Sequence, residues 1–254
     1  LVDGSQTSTI TLSVVDGSSD DDFDGVADQT VSVTTTDSDV AGFTVIESGG
    51  TTTVAEDGST TDDFTVVLDA QPISDVVISV TSSDTGEATV SPATLTFTSG
   101  NWDSSQTVTV TGVDDSLIDG SQTSTITIAV EDESSNDSFD SLLDQTGSVS
   151  TADDDTAGFT VTQSGGSTTV AETGSTDTFT VVLNSEPTGD VVFSLTDNDT
   201  DNTEISYSPT ALTFNSGNWN SAQTVTVTGV DDSLDDDNVT SSITVAINTG
   251  STAD

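Results

Sequence analysis

Val, Ile, Leu and Phe alternate with Thr and Ser along most of the chain, a period of two that predicts half-buried β-strands rather than helices. Between residues 40 and 155 the pattern predicts seven strands, bounded by Gly, Pro, Asp and Ser clusters. The first lies near 43–54, broken at Ser48-Gly49-Gly50; the others lie near 63–69, 75–81, 94–98, 106–113, 122–130 and 145–152. Phe64, Val66 and Leu68 share one face of the second strand, and Leu95 and Phe97 one face of the fourth. Val108 and Val110 do so on the fifth, Ile126 and Ile128 on the sixth. Strands that are apolar on one face must close in two layers, so the predicted fold is all-β, an immunoglobulin-like seven-stranded antiparallel sandwich.

The pattern recurs along the chain. Ser99–Leu117 returns as Ser216–Leu234 with two changes; Val2–Ile10 matches Ile118–Ile126, and Ala41–Val45 matches Ala157–Val161. The period is about 116 residues, the length of a domain rather than of a solenoid coil. Residues 1–39 therefore read as the C-terminal part of a preceding repeat, 40–155 as a complete repeat, and 156–254 as a second repeat lacking its last strand. The expected architecture is tandem sandwiches joined end to end. Because the first residue is Leu, the sequence reads as an interior piece of a longer protein.

Charge changes this picture. Forty-five Asp and Glu stand against no Lys, Arg or His, a formal net charge of −45 that opposes any compact state. The sequence offers no side-chain cation, so divalent ions or high salt are the expected counterpart. Nucleic acid is excluded as a partner for want of a basic face. Without His, Cys, Lys or Arg there is no triad, thiol nucleophile, Schiff base or phosphate-binding lysine, and no imidazole or thiolate zinc site. A carboxylate pair alone could hydrolyse glycosides, yet nothing suggests the apolar cleft that raises one pKa, so no enzyme is expected. No apolar run reaches the length that spans a bilayer, so no membrane insertion is expected. Low hydrophobicity with high charge can mean disorder, but the strand period argues against it.

Strand order then places the acids. If seven strands alternate up and down, the first-to-second, third-to-fourth and fifth-to-sixth connections and the end of the seventh share one pole. Glu56, Asp84, the group Asp114, Asp115 and Asp119, and the triplet Asp153, Asp154 and Asp155 lie in those four places. The second copy repeats them with Glu172, Asp199, Asp231, Asp232 and Asp235, and the leading fragment supplies Asp3, Asp37 and Asp39. Carboxylates about 4 Å apart repel by roughly 4 kcal/mol at an effective dielectric near 20. A Ca²⁺ ion, which takes six to eight oxygens, would reverse that sign. Mg²⁺, which keeps its waters, suits the site less well, and a solvated acidic surface is the plainer alternative.

These residues also carry a resemblance. Phe43-Thr44-Val45, Val54-Ala55-Glu56, Phe64–Leu68, Thr94–Phe97, Val108–Asp115 and Ala152–Asp155 together resemble a Calx-beta domain, a family with tandem arrays in bacterial surface proteins. The resemblance spans the whole repeat and implies a seven-stranded sandwich with calcium at the pole facing the next domain. It implies Glu56, Asp84, Asp114, Asp115, Asp119, Asp153, Asp154 and Asp155 as ligands. The leading fragment ends Asp37-Ser38-Asp39, so its middle ligand is lost and a weaker site is expected there.

Other features read more simply. Asp20, Asp22, Asp24 and Gly25 imitate the start of an EF-hand loop, but position 12 is Val31, and the second copy reads Asn136, Ser138, Asp140 and Ser141. Trp102 and Trp219 follow Gly-Asn in a turn and are expected to cap the sandwich rather than stack on sugar. Asn136, Asn198 and Asn238 each begin a glycosylation triplet. The expected function is a calcium-binding structural array, an extracellular stalk, adhesin shaft or filament at a bacterial cell surface, whose partners are neighbouring repeats or identical subunits head to tail. The alternatives are a glycan- or cell-binding adhesion module and a fibre subunit completed by strand exchange.

Overall fold

The protein, described by a computed structural model over residues 1–198, 204–231 and 237–248, divides into two compact units. One holds Leu1–Val113 and Thr123–Thr151, the other Asp114–Gln122 and Ala152–Asp254. The period-two pattern becomes strand in both, and the described residues hold no helix beyond short 3-10 turns.

The first unit opens with a hairpin, β1 (Gln6–Leu12) paired antiparallel with β2 (Gln29–Thr35). Its sandwich has two sheets. The strands β3 (Phe43–Glu47), β5 (Thr61–Leu68), β9 (Gln106–Gly112) and β7 (Ala88–Ser91) lie side by side in that order. Facing them are β4 (Thr52–Ala55), β11 (Gln145–Ala152), β10 (Gln122–Val130), β6 (Val76–Ser82) and β8 (Thr94–Phe97), also in that order. One core draws on both sheets, with Phe64, Val66, Val108 and Val110 against Ile78, Leu95, Phe97, Ile126 and Ile128. The pairings of β5 with β3 and β9, of β7 with β9, and of β6 with β8 and β10 are all antiparallel, which gives the alternation on which the acidic pole depends.

Two departures from the expected strands stand out. The first expected strand is two, β3 and β4, which belong to opposite sheets. The switch is made at Ser48–Gly50, where Gly49 and Gly50 have φ of 65° and 80°, a region costly for residues with a Cβ. Asp62 holds this turn: its carboxylate accepts the Ser48 hydroxyl at 2.5 Å and the Thr53 N–H at 3.0 Å. The second departure is β7, a short strand whose alternation rests only on the small side chains of Ala88 and Val90 and which extends the β9 sheet.

The second unit repeats the plan. The strands β12 (Phe159–Gln163), β13 (Thr176–Leu183), β17 (Gln223–Gly229) and β15 (Ile205–Ser208) form one sheet in that order. In the other, β14 (Val191–Asp197) lies between β16 (Ala211–Phe214) and β18 (Ile243–Ile247). Phe193, stacked edge-on against Phe214, anchors the core.

The leading hairpin shows what the second layer does. Ile126, Ile128 and Val149 are 2%, 1% and 1% exposed, whereas their repeat equivalents Ile10, Leu12 and Val33 are 54%, 56% and 42% exposed. The same pattern is buried only where a facing sheet covers it.

Candidate metal centre

Strand β9 delivers the chain to the site by way of a glycine. A Cβ on Gly112 would lie 1.9 Å from the Ala55 carbonyl oxygen, and one on Gly229 would lie 2.1 Å from that of Ala171. Only glycine lets the strand end pass so close to the residue before Glu56, or before Glu172 in the second unit. Gly112 N–H then donates to Thr60 O at 3.2 Å and Val113 N–H to Glu87 O at 2.9 Å. In the second unit Gly229 donates to Ser175 O at 3.0 Å and Val230 to Glu204 O at 2.9 Å. The Thr-Gly-Val-Asp-Asp corner is thus tied by backbone bonds to both neighbouring acid-bearing loops.

In the first unit this brings Glu56 and Glu87 together. They are 1% and 9% exposed, and their carboxylate oxygens lie within 4.8 Å of one another. At an effective dielectric near 20 two ionised groups at that distance repel by roughly 3–4 kcal/mol. Asp84, the acid expected from this connection, is exposed, and its carboxylate accepts Gly86 N–H at 2.9 Å in the turn after β6. Glu87, at the head of β7, was missed because β7 itself was not legible. Its counterpart Glu204, also one residue ahead of a strand, was the available signal.

In the second unit Asp153 and Asp155 come together, again with carboxylate oxygens within 4.8 Å. Asp153 accepts Gly120 N–H and Asp155 N–H, both at 2.8 Å, which binds the fifth-to-sixth connection to the segment after β11. Asp155 accepts the Ser185 hydroxyl at 3.0 Å. Asp119 Oδ1 is closed off from solvent, Asp115 accepts Leu117 N–H at 2.6 Å, and Asp114 and Asp154 are exposed. Each pair places carboxylate oxygens within 4.8 Å of one another, a spacing that one large cation can bridge.

The leading fragment has the same geometry. Asp37 accepts N–H groups from Asp39 at 2.8 Å, Gly4 at 2.8 Å and Asp3 at 3.0 Å, and these donors hold its carboxyl below the usual range. Glu172 is half-buried and Asp231 exposed, whereas Asp199, Asp232 and Asp235 fall outside the described residues. Asp57, beside Glu56, is held at about 2 by the Thr60 hydroxyl and then by the Ser59 and Thr60 N–H groups. This keeps the turn after β4 charged at any ordinary pH.

The acids at the opposite pole do not form an EF-hand. Asp20 caps a 3-10 turn by accepting Asp22 N–H at 3.0 Å. Asn136 is buried, donating to Ser74 Oγ at 3.0 Å and accepting Ser138 N–H at 3.0 Å, so it is closed to glycosylation. Glu131, Asp132, Glu133, Asp140 and Asp144 line an open cavity of about 470 Å³. Burial, then the charges of Asp132 and Asp137, push the Asp140 carboxyl up. Trp102 and Trp219 are half-buried and pack on their cores, and their carbonyls accept Leu68 and Leu183 N–H at 3.2 Å.

Fold and site together define an all-β sandwich protein with clustered carboxylates. No protein-family model matches the sequence, and no curated protein matches it. Among solved structures, the chain is similar to the calcium binding domain CBD12 of CALX1.1 at 16% identity, covering 80% of each chain with a TM-score of 0.33. It is similar to domains 4 and 5 of the S-layer protein SbsC at 23% identity, spanning 58% of each chain with a TM-score of 0.32. SSP-19 of Caenorhabditis elegans, an MSP-domain protein like family member, is similar at 12% identity, over 42% of this chain and 97% of that one, with a TM-score of 0.29. Likenesses this slight assign no function.

Proposed function

We propose that the chain is a calcium-binding, non-enzymatic structural repeat segment of an extracellular stalk or filament. The observation that carries this reading is the pair of buried carboxylates, Glu56 and Glu87, in a chain with no Lys, Arg or His. Two carboxylates this close repel when both are ionised, and a divalent cation between them reverses that sign. Calcium is favoured over magnesium because carboxylates on independent loops suit a large, irregular oxygen shell.

Mechanically, the chain crosses from one unit to the other at 113–114, 122–123 and 151–152. Asp114, Asp115 and Asp119 and the triplet Asp153–Asp155 flank these crossings in sequence. Ions held by these residues brace the segments that carry them, and loss of the ions leaves like charges that repel. Repeats bounded at 1–39, 40–155 and 156–254 belong to this proposal. The packed state of both Trp side chains counts against a glycan-stacking role.

Calorimetric titration of the 254-residue chain with calcium, and separately with magnesium, tests the reading. Saturable binding of calcium in the range of extracellular modules, about 10⁻⁴–10⁻³ M or tighter, is expected, with magnesium much weaker. The double variant E56Q/E87Q should lose at least one ion. Absence of calcium binding to the folded chain would end the proposal.

A further inference from the structure

We infer that each repeat carries a backbone latch, independent of calcium, that docks its fifth-to-sixth connection onto the turn after the second strand of the following repeat. The inference rests on the proposed repeat boundaries and not on the ions.

In the second unit Leu117 forms a parallel bridge with Glu186. Glu186 N–H donates to Ser116 O at 2.6 Å, and Ile118 N–H donates to Glu186 O at 3.3 Å. In the first unit Val2 forms a parallel bridge with Pro72, and Val2 N–H donates to Gln71 O at 2.9 Å. Val2 is the repeat equivalent of Ile118, and Gln71-Pro72 that of Glu186-Pro187. The same bond therefore forms in each unit from sequences about 116 residues apart.

Three properties make this a docking element rather than a passing loop contact. Val2 is 8% exposed and joins the core of its unit, so the latch inserts an apolar side chain as well as a backbone bond. Ser185, before Glu186 and 6% exposed, donates its hydroxyl to Asp155 Oδ1 and to Thr156 O, which fixes the turn that receives the latch. In both units the bridge falls at the same Gln-Pro or Glu-Pro turn, with Pro72 itself the partner of Val2. The partner is chemically defined: another copy of this repeat, presenting a Gln-Pro or Glu-Pro turn to a Leu-Val/Ile-Asp-Gly segment.

Residue-resolved hydrogen exchange on the full chain, in calcium and in excess chelator, tests it. The Val2, Ile118 and Glu186 amides should exchange at least about tenfold more slowly than that of Ser116 in both conditions. Ile118→Pro removes one donor and should bring Glu186 to the open-loop rate while amides of β13 and β17 keep theirs. Exchange of Ile118 and Glu186 at the open-loop rate in calcium, loss of their protection on chelation, or an unchanged Glu186 in the variant would each overturn the latch. Protected amides in a chain that binds no calcium would remove the calcium proposal and leave the latch standing.

Discussion

Glu56 and Glu87 are the two residues whose behaviour follows most directly from electrostatics. Two ionised carboxylates this close would destabilise the first unit in chelator, and an ion between them would reverse the sign. Glu56→Gln is accordingly expected to raise the stability of the first unit in chelator, by up to roughly 3 kcal/mol of relieved repulsion, and with it the melting temperature. The same variant should abolish most of the gain that calcium gives. Thermal melts in the two conditions check both signs. Asp62 and Asp177 act differently. The Ser48 and Ser164 hydroxyls, followed by the Thr53 and Thr169 N–H groups, hold their carboxyls below the usual value of 3.8. A carboxyl lowered on folding stabilises above its unfolded pKa and loses that contribution as pH falls through the folded value. Asp62→Asn should therefore lower the melting temperature at pH 7 by a few degrees, a deficit that shrinks once pH falls below the unfolded value of 3.8 and disappears as pH falls through the folded value. A deficit that stays constant across that range would contradict the assignment.

At the scale of elements, the repeated strand β9 and its corner carry the most information. Gly112 sits where a methyl group would meet the Ala55 carbonyl oxygen at 1.9 Å, so Gly112→Ala should cost about 1–3 kcal/mol and weaken calcium binding by shifting Glu56. A variant with unchanged stability and affinity would show that the corner yields freely. The strands β5, β6, β8, β9, β10 and β11 were legible because each alternates over four or more residues with turn residues at both ends. The split of the first strand into β3 and β4 was visible only as an interruption at Ser48-Gly49-Gly50. Which sheet each half joins depends on tertiary pairing and on the Asp62 clamp, neither of which has a local signature. The site was legible to a similar depth. Antiparallel alternation assigns Glu56 and Asp84 to connections of one pole, but seeing that Glu87 rather than Asp84 lies beside Glu56 requires knowing that β7 exists and that Asp84 accepts the Gly86 N–H.

For the whole molecule, a charge of −45 without a side-chain cation makes stability a property of the solution as much as of the chain. Raising sodium chloride in chelator should raise the melting temperature, because the screening length falls from about 10 Å at 0.1 M to about 3 Å at 1 M. In saturating calcium the same salt series should have a smaller effect, since ions bound as proposed would neutralise the closest carboxylates. Equal salt dependence in the two series would mean that the ions do not reach the clustered acids.

The most direct measurement is the thermal unfolding of the full chain in calcium, in chelator, and in calcium added back after chelation. The account predicts a melting temperature at least about 5 °C higher in calcium, restored on add-back, with the gain reduced in E56Q/E87Q. An identical melting curve in calcium and in chelator would contradict it.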